Sequence, residues 1–238
     1  DGTRNIVRQC VESGVNRLAY ISSVHAIAER PKGQTISETT HFDPDRITGF
    51  YGKTKAEASR IVMDAVSESG LDAVLVFPTG LCGPYDYMIS YVSQMLIDCA
   101  KNKLPGGVDK GYDFADVRDV AAGVVSACEI GKRGEGYILG NRYVSVAEIF
   151  RLVHQKTGAR LIKHMFPMWT AQMLLPFFGM YYKAKKRPPL FTRYSLYTLM
   201  SNSDYSIEKA KRELGYTVRP FEQTIGDTLV WLKEEGKI

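Results

Sequence analysis

Tyr51-Gly-Lys-Thr-Lys55 sets a phenol and an ammonium four residues apart. On a helix, positions i and i+4 share one face, one turn apart. A phenol with its ordinary pKa of about 10 is a poor base at neutral pH. A fixed cation beside it favours the phenolate and lowers that value. The pair then becomes a tunable acid and base for a carbonyl or hydroxyl group. Ser22 and Ser23 lie upstream, with Ser23 28 residues before Tyr51. They end an apolar run, where a hydroxyl would project toward the ligand crevice of an open sheet. Ser23 could then hydrogen-bond the reacting oxygen while Tyr51 exchanges its proton. The other reading of Ser22-Ser23 is ordinary strand-end turn chemistry.

The elements that would position these groups follow from periodicity. Asp1 to Gly14 reads as an amphipathic helix with Ile6, Val7, Cys10 and Val11 as its apolar stripe. Leu18 to Ser23 and Asp72 to Phe77 read as buried strands of a parallel sheet. Between them lie a polar stretch of about 25 residues, rich in Pro, Gly, Thr and Asp, and a helix from Tyr51 to Ser69. Pro78 to Pro84 reads as a loop at a strand's carboxyl end, the ligand side of such sheets. Further helices are expected at Tyr91–Lys103, Val117–Ile130, Ser206–Leu214 and Phe221–Glu235, with a strand at Tyr137–Leu139. Ser145-Val-Ala-Glu148 reads as a capping box opening a helix to about Thr157. Alternating strands and helices predict an α/β fold with a doubly wound, Rossmann-like parallel sheet.

Composition narrows the function classes. The 238 residues are 45% hydrophobic and 11% aromatic, which excludes a disordered chain. Cys10, Cys82, Cys99 and Cys128 are far apart, so reduced thiols and a cytoplasmic location are expected. His25 and His41 lack the carboxylate spacing of a metal site, and no metal is expected. Net charge is +5. Arg160 to Pro220 holds 11 Lys and Arg against 3 Asp and Glu. That stretch reads as a solvated lysine-rich face, or as one meeting an anionic ligand or membrane surface. No nucleic-acid motif accompanies it, and nucleic acid is discounted. Met165 to Tyr182 carries no charge over 18 residues and reads as a helical lid or substrate wall. Its prolines and polar residues dilute it as a membrane span, and an interfacial helix beside Lys183, Lys185, Lys186 and Arg187 stays open.

The joint order of several motifs resembles the extended short-chain dehydrogenase/reductase superfamily. These are Ser22-Ser23, Tyr51-x-x-x-Lys55, Phe77-Pro-Thr-Gly-Leu-Cys-Gly-Pro84, Phe114-Ala-Asp-Val-Arg-Asp-Val120, and Ser206 to Tyr216 ending Arg-Glu-Leu-Gly-Tyr. The likeness is to the NAD-dependent epimerase/dehydratase, dihydroflavonol-reductase and 3β-hydroxysteroid-dehydrogenase branches. Gly2-Thr3-Arg4-Asn5 matches the family's helix before the catalytic strand. Phe77 departs from the family, which often has arginine there. The resemblance implies Ser23, Tyr51 and Lys55 as the catalytic triad. It implies cofactor contacts by Ser22, Tyr51, Lys55, Pro78 and Thr79, and a substrate space flanked by His25, Leu81, Tyr85 and Asp86. NAD or NADP is the implied cofactor.

The family also opens with strand, G-x-x-G-x-x-G and helix, where backbone amides hold the pyrophosphate. No such run stands in this sequence: Gly106-Gly107 with Gly111 has the wrong spacing. The expectation is of a fragment lacking roughly 70 upstream residues, several βα units of the fold. Residues 1–140 are then the remainder of the Rossmann-type domain, and 141–238 mainly a smaller, mostly helical substrate lobe whose segments interleave with it.

The function implied is hydride transfer between nicotinamide and a secondary alcohol or ketone, with an apolar substrate. Nucleotide-sugar epimerisation by the same triad and a non-catalytic dinucleotide-binding module are the alternatives. Family dehydratases usually carry Asp-Glu shortly after the strand serine, and Val24-His25 stands here instead. A small-molecule substrate is the expected partner, and a homodimer stays open.

Overall fold

In chain order, the computed structural model contains α1 (Gly2–Glu12), β1 (Leu18–Ile21), α2 (Phe50–Glu68), β2 (Ala73–Pro78), β3 (Gly80–Cys82), α3 (Tyr91–Ala100), β4 (Gly107–Val108), β5 (Gly111–Asp116), α4 (Val117–Ile130), β6 (Gly136–Leu139), β7 (Arg142–Ser145), α5 (Val146–Thr157), β8 (Met165–Phe166), α6 (Arg193–Met200), α7 (Glu208–Leu214) and α8 (Phe221–Glu234). Residues 1–170, 173 and 193–238 are described. They form two units, each with its own contacts. One comprises Asp1–Gly80, Ala115–Arg142 and Asn202–Val218; the other comprises Leu81–Phe114, Tyr143–Ser201 and Arg219–Ile238.

The first unit is built on the apolar strands. All six residues of β2 and all four of β6 are buried, as a parallel strand flanked on both sides requires. The order is β1-β2-β6, parallel throughout, with Leu18 beside Ala73 and Leu75 beside Gly136. Phe77 is completely buried against Phe42, ring centroids 5.8 Å apart. An arginine there would need a buried partner for its charge, so the departure from the family pattern fits an apolar neighbourhood. The expected stripe of α1 is only half covered: Val7 is buried and Cys10 packs partly on the core, but Ile6 and Val11 are exposed.

The long polar stretch after β1 is tied down by side chains acting on its backbone. Asn202 Nδ2 donates to the carbonyls of Arg30, Pro31 and Gln34, the last at 2.7 Å. Ile36 bridges to Tyr205, and Glu38 accepts from the Ile138 amide at 3.0 Å. The tail motif has a structural use as well. Lys209 Nζ donates to Glu135 and to the Gly136 carbonyl. Tyr137 donates its hydroxyl to Glu213, and Tyr216 donates to the Gly140 carbonyl. These bonds fasten α7 at β6, which holds the sheet's edge in place.

In the second unit β3, β5 and β7 form one sheet, and β4 pairs with β8. Ser145 Oγ accepts from the Glu148 amide, so the expected cap starts α5. The segment expected to be a loop, Pro78 to Pro84, instead contains β3. β5 was not expected at all: its Gly-Tyr-Asp-Phe-Ala-Asp run hides a buried strand behind two aspartates. Asp116 repays its burial by capping α4 and by a two-pronged pair with Arg118 at 2.9 and 2.8 Å. α3 ends at Ala100, three residues earlier than expected, as Asn102 turns to a positive φ of 58°. Within Met165 to Tyr182, β8, buried Met168 and exposed Trp169 and Met173 are described. Residues 171, 172 and 174–182 of the expected lid, and the basic group Lys183–Arg187, lie outside the described residues. No helix among the described residues is long and apolar enough to cross a membrane.

Candidate active site

β1 ends at Ile21, and Ser23 caps the short 3-10 turn Val24–Ala26 that follows. Ser23 is buried, and its Oγ accepts the His25 backbone N–H at 3.3 Å. An occupied lone pair leaves the hydroxyl proton for another acceptor. Ser22 faces the other way. Its Oγ sits 2.7 Å from Ser59 Oγ, and both residues are buried. The Ser22 hydroxyl is therefore spent on α2, whatever its backbone touches.

α2 brings the other two groups to this strand end. Gly49 begins it at φ 86°, a left-handed conformation that glycine adopts without strain. Gly52, Ala56 and Ser59 form its buried face, and their small size permits close approach. A Cβ on Gly52 would lie 2.8 Å from the His25 carbonyl oxygen and 2.6 Å from Ile47 Cγ2. The helix start is thus pressed against the turn that carries Ser23. Lys55 Nζ donates to the Ile21 carbonyl at 3.4 Å and stands 5.9 Å from the Tyr51 ring centroid. The Tyr51 ring meets that of His25 in a T-shaped contact, centroids 5.9 Å apart and planes at 76°. Tyr51 is 45% exposed. Ser23, His25, Tyr51 and Lys55 accordingly occupy one neighbourhood at the carboxyl end of β1, where open parallel sheets take their ligands.

Pro78 closes β2 beside this point, and the Thr79 amide donates to the Leu139 carbonyl at 3.2 Å. The Thr79 hydroxyl is buried with no hydrogen-bond partner among the described residues. Such a group costs about 1–3 kcal/mol unless something satisfies it. Together with the ammonium of Lys55, which has three protons to give, this suits the ribose and carboxamide of a nicotinamide. The residues present fit that end of the cofactor.

Leu81, Tyr85 and Asp86 belong to the second unit. Leu81 and Tyr85 are exposed, and Tyr85 holds a positive φ of 71°. Asp86 is occupied within its own loop: its carboxylate accepts from the Ser90 amide at 2.7 Å and from Ser93 Oγ at 2.6 Å. Burial opposes its ionisation, but those bonds outweigh it and hold the carboxyl below its ordinary pKa. Among the described residues, no three His, Cys, Asp or Glu side chains gather as a metal site.

Sequence reasoning missed Ser59 and Gly52. The signal was present: Ser59 continues the four-residue spacing of Tyr51 and Lys55, and Gly52, Ala56 and Ser59 recur at helical intervals of small side chains. Ser59→Ala would leave the Ser22 hydroxyl buried and unpaired, at a cost of about 1–3 kcal/mol. Replacing both serines by alanine removes that orphan. Urea unfolding should therefore show the double variant as stable as Ser59→Ala or more so. Additive losses would count against the bond.

Burial pushes the His25 imidazole down to about 4. A ring kept neutral when folded but protonated near 6.5 when unfolded leaves stability undiminished above pH 6.5. Stability is then lost as pH falls from there through about 4, by at most about 3 kcal/mol. Unfolding free energies at pH 7.5 and 4.5 should converge when His25→Phe is compared with the parent. An unchanged pH difference would contradict the burial of this ring.

Comparison with known proteins adds the lineage. The family model described as "NAD dependent epimerase/dehydratase family" matches residues 1–140. A protein of Synechocystis sp. named as a dihydroflavonol 4-reductase is 30% identical over 246 residues, covering all of this chain and 70% of that protein. Sterol demethylase protein B of Methylococcus capsulatus is 27% identical over 244 residues, covering all of this chain and 72% of its own length. The crystal structure of gox2253 superposes with a TM-score of 0.83 at 32% identity, over all of this chain and 72% of that one. With more than half the chain matched by the family model, and a parallel α/β sheet presenting Ser23, Tyr51 and Lys55 at one strand end, this chain belongs to the NAD-dependent epimerase/dehydratase family of Rossmann-type proteins.

Proposed function

We propose that the protein is an NAD(P)-dependent oxidoreductase of the extended short-chain type, interconverting a secondary alcohol and a ketone on a largely apolar substrate. The observation that carries this is the convergence on one helix start and one strand end. Lys55 reaches the Ile21 carbonyl from the turn below Tyr51, while Ser23 lies two residues further along the chain. Ser23, Tyr51 and Lys55 are the catalytic residues in this reading. Lys55, Pro78 and Thr79 hold the nicotinamide end of the cofactor. When bound, the reduced cofactor supplies the hydride that adds to the carbonyl carbon.

In the reducing direction the Ser23 hydroxyl donates a hydrogen bond to the substrate carbonyl oxygen, and the phenol of Tyr51 delivers the proton that oxygen needs. The Lys55 ammonium stands 5.9 Å from the centroid of the ring that gives up the proton. In the oxidising direction the same phenolate takes the alcohol proton, so one group serves as acid and base. A ketone, a hydride and a proton give the alcohol, which balances the step.

An apolar substrate is supported by exposed Tyr85, Tyr87 and Met88 in the second unit, on the loop following β3. The names of two relatives, a dihydroflavonol 4-reductase and a sterol demethylase component, point to ring systems of that kind. The four free cysteines suit a reducing, cytoplasmic compartment. Full-length protein with NADH or NADPH should be assayed against hydrophobic ketones, flavanonols, steroids and UDP-sugars. Ketone-dependent cofactor oxidation is the expected result. Efficient UDP-sugar epimerisation without ketone reduction would overturn it in favour of an epimerase.

A further inference from the structure

We propose that His25 is a positioning residue for Tyr51, holding the phenol ring by the edge-to-face contact of their two rings. The inference rests on the reaction proposed above and assigns a role to a side chain that acts through another. Tyr51 stands in the first turn of α2 with 45% of its surface exposed. What it meets at 5.9 Å is the His25 ring, at 76°. Aromatic pairs favour this arrangement, because the electropositive edge of one ring faces the electronegative face of the other.

His25 is itself fixed on three counts. Its amide is bound to Ser23 Oγ, its carbonyl is packed against Gly52, and its ring is half-buried. One residue thus registers the serine hydroxyl through its backbone and the tyrosine phenol through its side chain. It joins the two beside the Ser22–Ser59 and Lys55–Ile21 hydrogen bonds, which tie α2 to the strand end but touch neither the Ser23 hydroxyl nor the Tyr51 ring. The neutrality of the ring matters here. A protonated imidazole beside Tyr51 would add a second cation near Lys55, whereas burial keeps this ring uncharged at neutral pH. Phenylalanine can reproduce the ring contact but no hydrogen bond. Glutamine can reproduce a hydrogen bond but no ring. The two substitutions therefore separate positioning from direct contact with a ligand.

In full-length protein, kcat and KM would be measured for His25→Ala, His25→Phe and His25→Gln, with Tyr51→Phe alongside and circular dichroism confirming the fold of each. His25→Ala is expected to lower kcat about ten- to a hundredfold, the scale of a misplaced reacting group, with both KM values within about twofold. His25→Phe should recover kcat to within about threefold of the parent, and His25→Gln should stay near the alanine value. Recovery by glutamine and not by phenylalanine would overturn the inference, since a hydrogen bond would then be what matters. Parental kcat in all three, or a change confined to KM, would overturn it too. Should His25→Ala fail to fold, the phenylalanine and glutamine variants decide alone. Retained activity in Tyr51→Phe would instead remove the proposed reaction itself, which is a distinguishable outcome.

Discussion

Tyr51→Phe should abolish turnover while leaving the fold and cofactor affinity close to the parent values. Only the phenolic oxygen is removed, and the ring contact with His25 is preserved. A positioned acid or base is worth about 10²–10⁴ in rate, or roughly 3–5 kcal/mol of barrier. Lys55→Met should act differently. It loses both the charge near the Tyr51 ring and the donor that reaches the Ile21 carbonyl, so kcat and cofactor affinity should fall together. Steady-state kinetics on the alcohol or ketone, paired with cofactor titration by fluorescence, separates the two. If Tyr51→Phe kept a tenth of the parental kcat, the loss would be only about 1.4 kcal/mol, too little for a proton donor.

Much of this site was legible because its residues obey two periods. The four-residue step from Tyr51 to Lys55 names a helix face, and the apolar runs before Ser22 and Pro78 name strand ends. Parallel strands buried on both sides write themselves as continuous apolar runs, so β2 and β6 were readable. β1 is a strand as expected but not a buried one, since it is the outer strand of β1-β2-β6 and leaves Ile21 exposed. β5 was not readable, because Asp113 and Asp116 break its apolar run and yet are buried, Asp116 by capping α4 and pairing with Arg118. The tail motif carried the family resemblance, yet its Lys209, Glu213 and Tyr216 work as fasteners for α7 and β6. A motif can mark a lineage through structure alone. Asp86 taught the same lesson: its carboxylate binds Ser90 and Ser93, contacts set by a loop path that spacing cannot reveal. Ser22 and Ser23 were indistinguishable in sequence. They separate in space because successive residues at a strand end point to opposite sides, one toward Ser59 and the other toward the His25 amide.

Gly52→Ala should be costly where the same change elsewhere on a helix is favourable. Helix propensity alone prefers alanine to glycine by about 1 kcal/mol in a helix interior. Gly226, in α8, is the fair control: a Cβ there meets nothing closer than Lys156 Cε at 3.6 Å, and Gly226→Ala should stabilise by about that amount. At Gly52 the added carbon would meet Ile47 Cγ2 at 2.6 Å and the His25 carbonyl oxygen at 2.8 Å. The isoleucine branch can turn aside, but the carbonyl belongs to the turn that fixes Ser23 and cannot move alone. Overpacking of this kind costs about 1–3 kcal/mol, which exceeds the propensity gain. Relief requires the start of α2 to move away from the serine, carrying Tyr51 with it. A displacement near 1 Å between reacting groups lowers rate by about 10²-fold. Thermal unfolding and kcat of Gly52→Ala, Gly226→Ala and the double variant Gly52→Ala/Ile47→Ala test each step. Removing the Ile47 side chain should restore neither the rate nor the stability, because the backbone contact remains. Full recovery in that double variant would mean the isoleucine, and not the seating of α2 on the serine turn, is what excludes a side chain at position 52.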